Sequence, residues 1–261
     1  MIFAGIDIGS ITAKAALIKQ DTETGQLSLS AARVMSTGYN PVTAGEKVFN
    51  AVIEEAGIRR EDVARIVATG YGRNSVAFAD KAMTEIICHG VGAHFSNPEI
   101  KGIIDVGGQD SKAILLNEQG QVDNFAMNDK CAAGTGRFLE VMANALELDL
   151  YQLGPMGLTA DNPAKISSIC TVFAESEVIS MIAAQETRPN IIAGIHEATA
   201  ARVAGLATKI KLVPPVMMTG GVAKNTGLVK ALENRLGYDI LVGTSPQENG
   251  AIGAAVIAAR G

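Results

Sequence analysis

Short apolar runs and alternating apolar and polar positions organise the first third of the chain. Alternation with a period of two predicts β-strands, whereas apolar positions three and four residues apart predict amphipathic helices. These patterns predict strands over residues 2–7, 13–18, 27–35 and 63–68 and helices over residues 42–56 and 80–95. The Asn97-Pro98 pair then interrupts the regular structure. A mixed order of strands and helices is typical of an α/β fold.

The same kinds of pattern recur after this break. They predict strands that begin near residues 102, 112, 122, 216 and 238, and helices over residues 135–146, 172–185, 190–210, 222–236 and 246–259. We expect the last helix, which is rich in Ala and Gly, to fold back onto the first domain. The expected domains are therefore residues 1–97 with 246–261, and residues 98–245.

A six-residue segment occurs twice, each time followed by a lysine at the same distance. Gly5-Ile-Asp-Ile-Gly-Ser10 precedes Lys14, and Ile103-Ile-Asp-Val-Gly-Gly108 precedes Lys112. Each copy passes from an apolar strand through an Asp and a Gly into a second alternating segment, which is the pattern of a β-hairpin. Glycine lets backbone N–H groups approach a phosphate, and the carboxylate can hold a metal or a water. A single Asp-x-Gly is more often only a hairpin turn, but two copies favour a pair of phosphate loops.

A third segment, Val216-Met-Met-Thr-Gly-Gly-Val-Ala-Lys-Asn225, predicts a buried strand that ends in a glycine pair and opens a helix. Such a backbone can pack flat against a purine and its ribose. Other nucleotide loops are not indicated. There is no Gly-x-x-x-x-Gly-Lys-Ser/Thr, and the Gly-x-Gly segments at Gly70 and Gly134 lack the third glycine of a dinucleotide fingerprint. We interpret Gly70-Tyr-Gly-Arg73 as a tight turn.

These three segments, in this order, resemble the actin, hexokinase and Hsp70 ATPase superfamily over essentially the whole chain. The resemblance implies two domains of the ribonuclease-H type with ATP in the cleft between them. It also implies that residues 5–14 form the first phosphate loop, residues 104–112 the second, residues 219–225 the adenosine loop, and Asn249-Gly-Ala-Ile-Gly253 the connection into the closing helix.

Composition narrows the class of protein further. A net charge of −5 and 4% aromatic residues disfavour nucleic-acid binding, because basic side chains interleaved with stacking rings are missing. The first strand starts near Met1 and already contains Asp7, which disfavours a signal peptide. No eighteen-residue apolar stretch occurs, so a membrane span is not expected. We expect a cytoplasmic protein with neither nucleic acid nor membrane as a partner.

The chain contains three cysteines, Cys88, Cys131 and Cys170. In a reducing compartment a structural disulfide is not expected, and we interpret Cys88 as a small apolar core residue. The other two each precede a predicted helix, whose free N–H groups and partial positive charge favour a thiolate. Two thiolates are half of what a four-iron cluster needs, and a two-fold dimer would supply the rest. Two ordinary core cysteines, or a two-ligand zinc site, are the alternatives.

Four longer segments resemble the activator component of 2-hydroxyacyl-CoA dehydratases and the related ATPase subunits of benzoyl-CoA reductase. They are Asn128-Asp-Lys-Cys-Ala-Ala-Gly-Thr-Gly-Arg-Phe138, Cys170-Thr-Val-Phe-Ala-Glu-Ser-Glu-Val178, Ala68-Thr-Gly-Tyr-Gly-Arg73 and Ile104-Asp-Val-Gly-Gly-Gln-Asp110. The resemblance implies a homodimer with one [4Fe-4S] cluster at its interface, ligated by Cys131 and Cys170. It implies that ATP hydrolysis drives one electron at low potential into a dehydratase-like iron-sulfur partner, with a ferredoxin or flavodoxin as electron donor.

Within this picture each candidate residue has an expected role. Asp7 and Asp105 would hold Mg²⁺, directly or through its waters. Gln109 would orient the attacking water, although a loop residue that caps its own backbone is nearly as plausible an interpretation. The candidates for binding ATP or ADP are Gly9, Ser10, Thr12, Lys14, Gly107, Gly108, Gly220, Gly221 and Asn225.

Two other functions fit the same nucleotide loops. One is a small-molecule kinase that phosphorylates a sugar or an acid, although the sequence offers no signature of an acceptor site. The other is a non-catalytic, ATP-sensing scaffold. An iron-sulfur activator would be brown when purified without oxygen, whereas the other two would be colourless.

Overall fold

The computed structural model describes residues 1–167 and 170–261. Contacts within the chain divide it into two compact units. The first unit comprises Met1–Ile100, Leu116–Asp123 and Gln247–Gly261, and the second comprises Lys101–Leu115 and Asn124–Pro246. The assignment of functional domains made from the sequence stays a prediction.

The strands of the described residues form two five-stranded sheets with the same plan. They are β1 (Ile2–Ile8), β2 (Thr12–Gln20), β3 (Leu27–Ser36), β4 (Val63–Thr69), β5 (Lys81–Ala82), β6 (Gly102–Val106), β7 (Ser111–Leu116), β8 (Val122–Asn128), β9 (Val216–Thr219) and β10 (Ile240–Val242). The sheet orders are β3-β2-β1-β4-β5 and β8-β7-β6-β9-β10. Each sheet contains an antiparallel hairpin, β1–β2 or β6–β7. A later strand, β4 or β9, pairs in parallel with the first strand of that hairpin. This order is that of a ribonuclease-H-type unit, so the expected α/β fold class is confirmed.

The helices lie where amphipathic periodicity predicts most of them. They are α1 (Pro41–Glu55), α2 (Glu85–Ser96), α3 (Gly136–Ala145), α4 (Leu150–Gly157), α5 (Thr171–Ala183), α6 (Arg188–Lys209), α7 (Thr226–Leu236) and α8 (Asn249–Arg260). The periodicity does not predict α4, whose eight residues include Gly154, Pro155 and Gly157, all poor helix formers. Because α4 packs against two longer helices, tertiary contacts offset this weak propensity.

Two helices begin four or five residues later than predicted. The helix expected from residue 80 begins only at Glu85, because the Asp80 carboxylate accepts the N–H of Ile66 at 2.7 Å and the next residues pair with β4 as β5. The helix expected from residue 222 begins at Thr226. A 3-10 turn over Gly221–Lys224 precedes it.

Each unit has its own apolar core. In the first unit, α1 buries Val48, Phe49 and Val52 against one sheet, and α8 packs on β1. In the second unit all five residues of β6 are buried, and α6 contributes a long buried face that includes Ile191, Ile195 and Val203. The strands β1 and β6, which carry the repeated segments, are therefore each packed into the core of their own unit.

Candidate functional site

Both repeated segments form β-hairpins in which the aspartate and the lysine are cross-strand partners. Asp7 lies opposite Lys14 in the β1–β2 pair, and Asp105 lies opposite Lys112 in the β6–β7 pair. The ammonium nitrogen lies 3.3 Å from a carboxylate oxygen in the first hairpin and 3.2 Å in the second. The hairpin prediction is confirmed, and the repeated spacing places one ion pair at the same point of each unit.

The second hairpin is more enclosed and more acidic than the first. Lys112 is 2% exposed and lies 2.8 Å from Asp110 as well as 3.2 Å from Asp105. The hydroxyl of Thr219 donates to the other oxygen of Asp105 at 2.8 Å. Asp110 and Thr219 lie within the predicted loops, but the sequence analysis assigns neither of them an individual role. The parallel pairing of β6 with β9 places Thr219 opposite Asp105, and this pairing has no local signal.

A threonine and a glycine stand beside the aspartate in both units. Thr69 lies opposite Asp7 and Thr219 lies opposite Asp105, and each is followed by a glycine with positive φ, 83° at Gly70 and 86° at Gly220. A side chain on Gly70 would run into Asp7, and one on Gly220 would run into the carbonyl of Val106. The Gly70 turn is therefore the first unit's counterpart of the predicted adenosine loop. The guanidinium of Arg73 donates to the Gly70 carbonyl at 3.1 Å and closes this turn.

The hairpin turns already use some of their own amides. The N–H of Gly9 donates to the carbonyl of Thr12 at 3.1 Å, and the N–H of Gly107 donates to the carbonyl of Asp110 at 3.0 Å. These bonds shape the turns without a ligand. The exposed residues at the two tips, Ser10 and Gln109, are the better placed of the loop residues to meet a phosphate.

The adenosine-loop candidates lie at the start of α7. Gly220 and Gly221 open the 3-10 turn, and Asn225 caps the helix, since its side-chain oxygen accepts the N–H of Leu228 at 3.0 Å. The side-chain nitrogen of Asn225 is buried and has no hydrogen-bond partner among the described residues. In the first unit, the hydroxyl of Thr12 accepts from the side chain of Gln247 at 3.5 Å.

The three cysteines have different surroundings. Cys131 is half-buried in the turn between β8 and α3, and the side-chain nitrogen of Asn128 donates to its carbonyl at 2.8 Å. Cys170 is exposed and occupies the N-cap position of α5. Cys88 is fully buried in the first unit, and burial raises the pKa of its thiol to about 12. Two thiols of one chain are therefore accessible, and Cys88 fits its interpretation as a core residue.

Comparison with known proteins assigns the chain to a family. The model of the "BadF/BadG/BcrA/BcrD ATPase family" matches residues 4–258. The chain belongs to this family. The resemblance noted from the four segments is thus confirmed.

Individual relatives of this ATPase agree with the assignment. The chain is 46% identical to the "Activator of lactoyl-CoA dehydratase" of Anaerotignum propionicum, over 99% of its own length and 97% of the relative's. It matches the crystal structure of the Acidaminococcus fermentans (R)-2-hydroxyglutaryl-CoA dehydratase component A with a TM-score of 0.94 and 44% identity, over 100% and 98% of the two chains. The 2-hydroxyisocaproyl-CoA dehydratase activator from Clostridium difficile, solved with bound ADPNP, matches with a TM-score of 0.92 and 42% identity, over 100% and 95%.

The ATPase also exposes an apolar helix face next to one of its cysteines. Four side chains of α5, just after Cys170, are between 42% and 65% exposed: Val172, Phe173, Ile179 and Ile182. Among the described residues, no three His, Cys, Asp or Glu side chains lie together in a group that could hold a metal ion. None of the described helices is both long enough and apolar enough to cross a bilayer.

Proposed function

We propose that this ATPase is an iron-sulfur activator that uses ATP hydrolysis to drive single electrons at low potential into a partner enzyme of the 2-hydroxyacyl-CoA dehydratase type. The observation that carries the proposal is that one chain combines two Asp–Lys hairpins suited to a nucleotide with two accessible thiols. Full-length relatives are named as dehydratase activators.

ATP and ADP are proposed to bind through the two hairpins and the adenosine loop. In the first hairpin Ser10 is exposed, and Lys14 keeps 14% of its side chain exposed while paired with Asp7. In the second hairpin, Gly108 and Gln109 supply the amides nearest the tip. The backbone of Gly220 and Gly221 and the side chain of Asn225 are the proposed contacts to adenosine.

Asp7 and Asp105 are proposed to hold Mg²⁺ through its waters rather than directly. Both oxygens of Asp105 already have protein partners, Thr219 and Lys112, and Asp7 is paired with Lys14. A carboxylate fixed in this way can still accept hydrogen bonds from a hydrated ion, which keeps several waters in most protein sites. Gln109 is exposed at the tip of its loop and is proposed to orient the attacking water, since its amide both donates and accepts.

Cys131 and Cys170 are proposed to ligate one [4Fe-4S] cluster per homodimer. Their chemistry fits this group, because both thiols are accessible and thiolates are its usual ligands. When bound, such a cluster supplies a one-electron centre of low potential. Cys170 occupies the N-cap position of α5, and the partial positive charge at the start of a helix favours a negatively charged ligand set.

A second copy of the chain is the proposed occupant of the apolar α5 face. Two accessible thiols are half of a four-ligand set, so a two-fold axis near Cys170 would complete the set. The same axis would bring the exposed Val172, Phe173 and Ile179 of two chains together and remove their apolar surface from water. One symmetric contact would therefore serve both dimerisation and ligation.

The remaining parts of the proposal concern electron flow. A ferredoxin or flavodoxin is the proposed donor, and a dehydratase-like iron-sulfur enzyme in the cytoplasm is the proposed acceptor. A cluster shared at a subunit interface would be sensitive to oxygen, because it is held by residues at the protein surface.

Cysteine substitutions test the ligand assignment. Cys131→Ser and Cys170→Ser should each lose iron and acid-labile sulfide in protein prepared without oxygen, because each removes two of the four ligands of a symmetric site. Both should still bind ATP, since neither residue lies in a nucleotide loop. Cys88→Ser is the matched control and should keep the cluster, because Cys88 is 0% exposed. A full complement of iron and sulfide in either of the first two variants would refute the assignment.

A turnover assay separates the proposed activator from a kinase or a scaffold. The oxygen-free protein should be brown, dimeric and able to hydrolyse ATP without a sugar or acid acceptor. Colourless protein that hydrolyses ATP only when it phosphorylates an acceptor would establish the kinase instead. Absence of any turnover would favour the scaffold.

A further inference from the structure

We infer that the first turn of α3 is the positioning element that links the second phosphate loop to Cys131, with Gly136 as its central residue. The inference deepens the proposed function and rests on it, because it concerns how nucleotide binding would reach a proposed cluster ligand. All the residues involved lie in the second unit.

The start of α3 is hydrogen-bonded directly to the phosphate loop. The N–H of Gly136 donates to the carbonyl of Gly107 at 2.8 Å, and the N–H of Arg137 donates to the carbonyl of Gly108 at 2.8 Å. The first N–H groups of a helix have no partner within the helix, so here the loop supplies partners for two of them. Displacement of either carbonyl would therefore act on the end of α3.

The same two peptide groups face the expected phosphate. The carbonyl of Gly107 shares one planar peptide unit with the N–H of Gly108, and the carbonyl of Gly108 shares the next unit with the N–H of Gln109. When those N–H groups turn toward a phosphate oxygen, the carbonyls at the opposite side of each rigid plane must turn as well. The carbonyl groups of these two peptides are therefore bonded to α3, while their N–H groups would bind the nucleotide.

The other side of this helix start is tied to the Cys131 turn. The amide and the hydroxyl of Thr135 both donate to the carbonyl of Ala132, at 3.0 and 2.6 Å, and Thr135 is 0% exposed. Asn128 donates to the carbonyls of Cys131 and Ala133 at 2.8 and 3.2 Å. A turn held by this many bonds moves as one piece, so a shift of α3 reaches the cysteine. Because α3 also packs against α5, the helix that follows Cys170, the same shift reaches both thiols.

Gly136 has little free space around it. A Cβ there would lie 3.1 Å from the Gly107 carbonyl oxygen, 3.3 Å from a methyl group of Val222 and 3.4 Å from Cα of Gly108. The first turn of α3 therefore touches the phosphate loop and the adenosine-side 3-10 turn at once. A larger residue would push on both.

Two substitutions of graded severity test the link. Gly136→Pro removes the N–H that donates to Gly107, yet the first helical position accepts proline and Thr135 has the extended conformation, φ −129° and ψ 172°, that proline requires before it. Gly136→Ala keeps the N–H and only crowds it. Gly205→Ala on α6 is the matched control, because a Cβ there meets nothing within 4 Å.

The readouts are nucleotide affinity and the response of Cys131 to nucleotide. Maleimide labelling of Cys131 in cluster-free protein, followed by mass spectrometry with ADP or ADPNP, should differ about fivefold or more between the two nucleotides in the unchanged chain and in Gly205→Ala. Gly136→Pro should bind both nucleotides yet label at one rate with either, and Gly136→Ala should show a reduced ratio. A merely structural role would change the rate with both nucleotides alike and leave their ratio intact. Iron release to a chelator from the holoprotein should follow the same order.

Three outcomes would decide against the link. An unchanged ratio in Gly136→Pro would overturn it, and so would loss of nucleotide binding in both variants, because the inference places α3 after binding. The absence of a difference between ADP and ADPNP in the unchanged chain would overturn it too. If the unchanged protein holds no iron, the proposed function fails, whereas the labelling result still judges the link.

Discussion

At the scale of single residues, the chain repeats one Asp–Lys pair in two environments. The Asp7–Lys14 pair retains some exposure, whereas Lys112 is enclosed by Asp105 and Asp110 and is 2% exposed. Taking charges out of water is costly unless they are paired, so the second pair depends on its partners far more than the first. The second hairpin therefore combines a proposed nucleotide contact with a structural ion pair.

Removal of the buried lysine charge tests this difference. Lys112→Met keeps most of the side-chain volume but leaves Asp105 and Asp110 without their buried cation. We expect a loss of about 3–5 kcal/mol in the free energy of unfolding, the usual cost of breaking a buried pair. Lys230→Met is the control, because the Lys230 side chain is 55% exposed in its pair with Glu233 and should cost at most about 1 kcal/mol. Urea denaturation followed by circular dichroism measures both, and equal losses would argue against the enclosed pair.

The local sequence already contained much of this residue-scale picture. The sequence predicts a hairpin at each repeat, and the structure adds that the hairpin turn brings Asp7 opposite Lys14 and Asp105 opposite Lys112. The hydrogen bond from Thr219 to Asp105 could not be predicted, since it joins residues far apart in the chain and depends on which strands pair.

At the scale of elements, the packing of α4, α6 and α7 depends on a histidine enclosed by glycines. His196 of α6 is 2% exposed, a Cβ on Gly157 would lie 2.7 Å from its ring, and a Cβ on Gly227 would also meet the ring. Its Nε2 has no hydrogen-bond partner among the described residues. Burial lowers the pKa of His196 to about 4, so the folded protein holds it neutral.

This histidine should make stability depend on pH in a definite direction. At pH values between the ordinary histidine pKa of 6.5 and about 4, His196 binds a proton in the unfolded chain but not in the folded chain. Stability is therefore lost as pH falls through this window, by about 3 kcal/mol in total, and is unaffected by His196 above it. His196→Gln should be less stable at neutral pH but should lose less stability between pH values of about 7 and 4.5. Urea unfolding at both values measures the difference, and parallel losses in the two proteins would count against it.

At the scale of the whole molecule, the two ends of the chain meet in the first unit. The last helix, α8, packs on β1, and a side chain at Gly5 would run into the backbone of Ala251 and Ala255. A side chain at Gly253 would likewise run into the carbonyl of Cys88 on α2. The strand that carries Asp7 therefore packs against a helix from the other end of the sequence.

A single methyl group at this contact should have a large effect. Gly5→Ala forces the backbones of β1 and α8 apart and should destabilise the protein by about 3 kcal/mol, the upper end of the usual cost of overpacking. Gly243→Ala is the control, since a Cβ there meets nothing within 4 Å. Thermal and urea unfolding compare the two variants. A Gly5→Ala protein as stable as the control would show that α8 does not close on β1.

The sequence by itself determined the hairpins, the order of most helices and strands, the two candidate phosphate loops and the pair of candidate cluster cysteines. The hairpins and the order of elements follow from local periodicity and short spacings, which act through neighbours along the chain, whereas the role of the two cysteines is what the resemblance to the activators implies. Only the tertiary structure decided that Thr219 faces Asp105, that Asp110 lies beside Lys112 as a second carboxylate, and that the first turn of α3 is bonded to the predicted second phosphate loop. Each of these contacts depends on which distant segments pack together, because backbone groups left unpaired by one element must find partners on another.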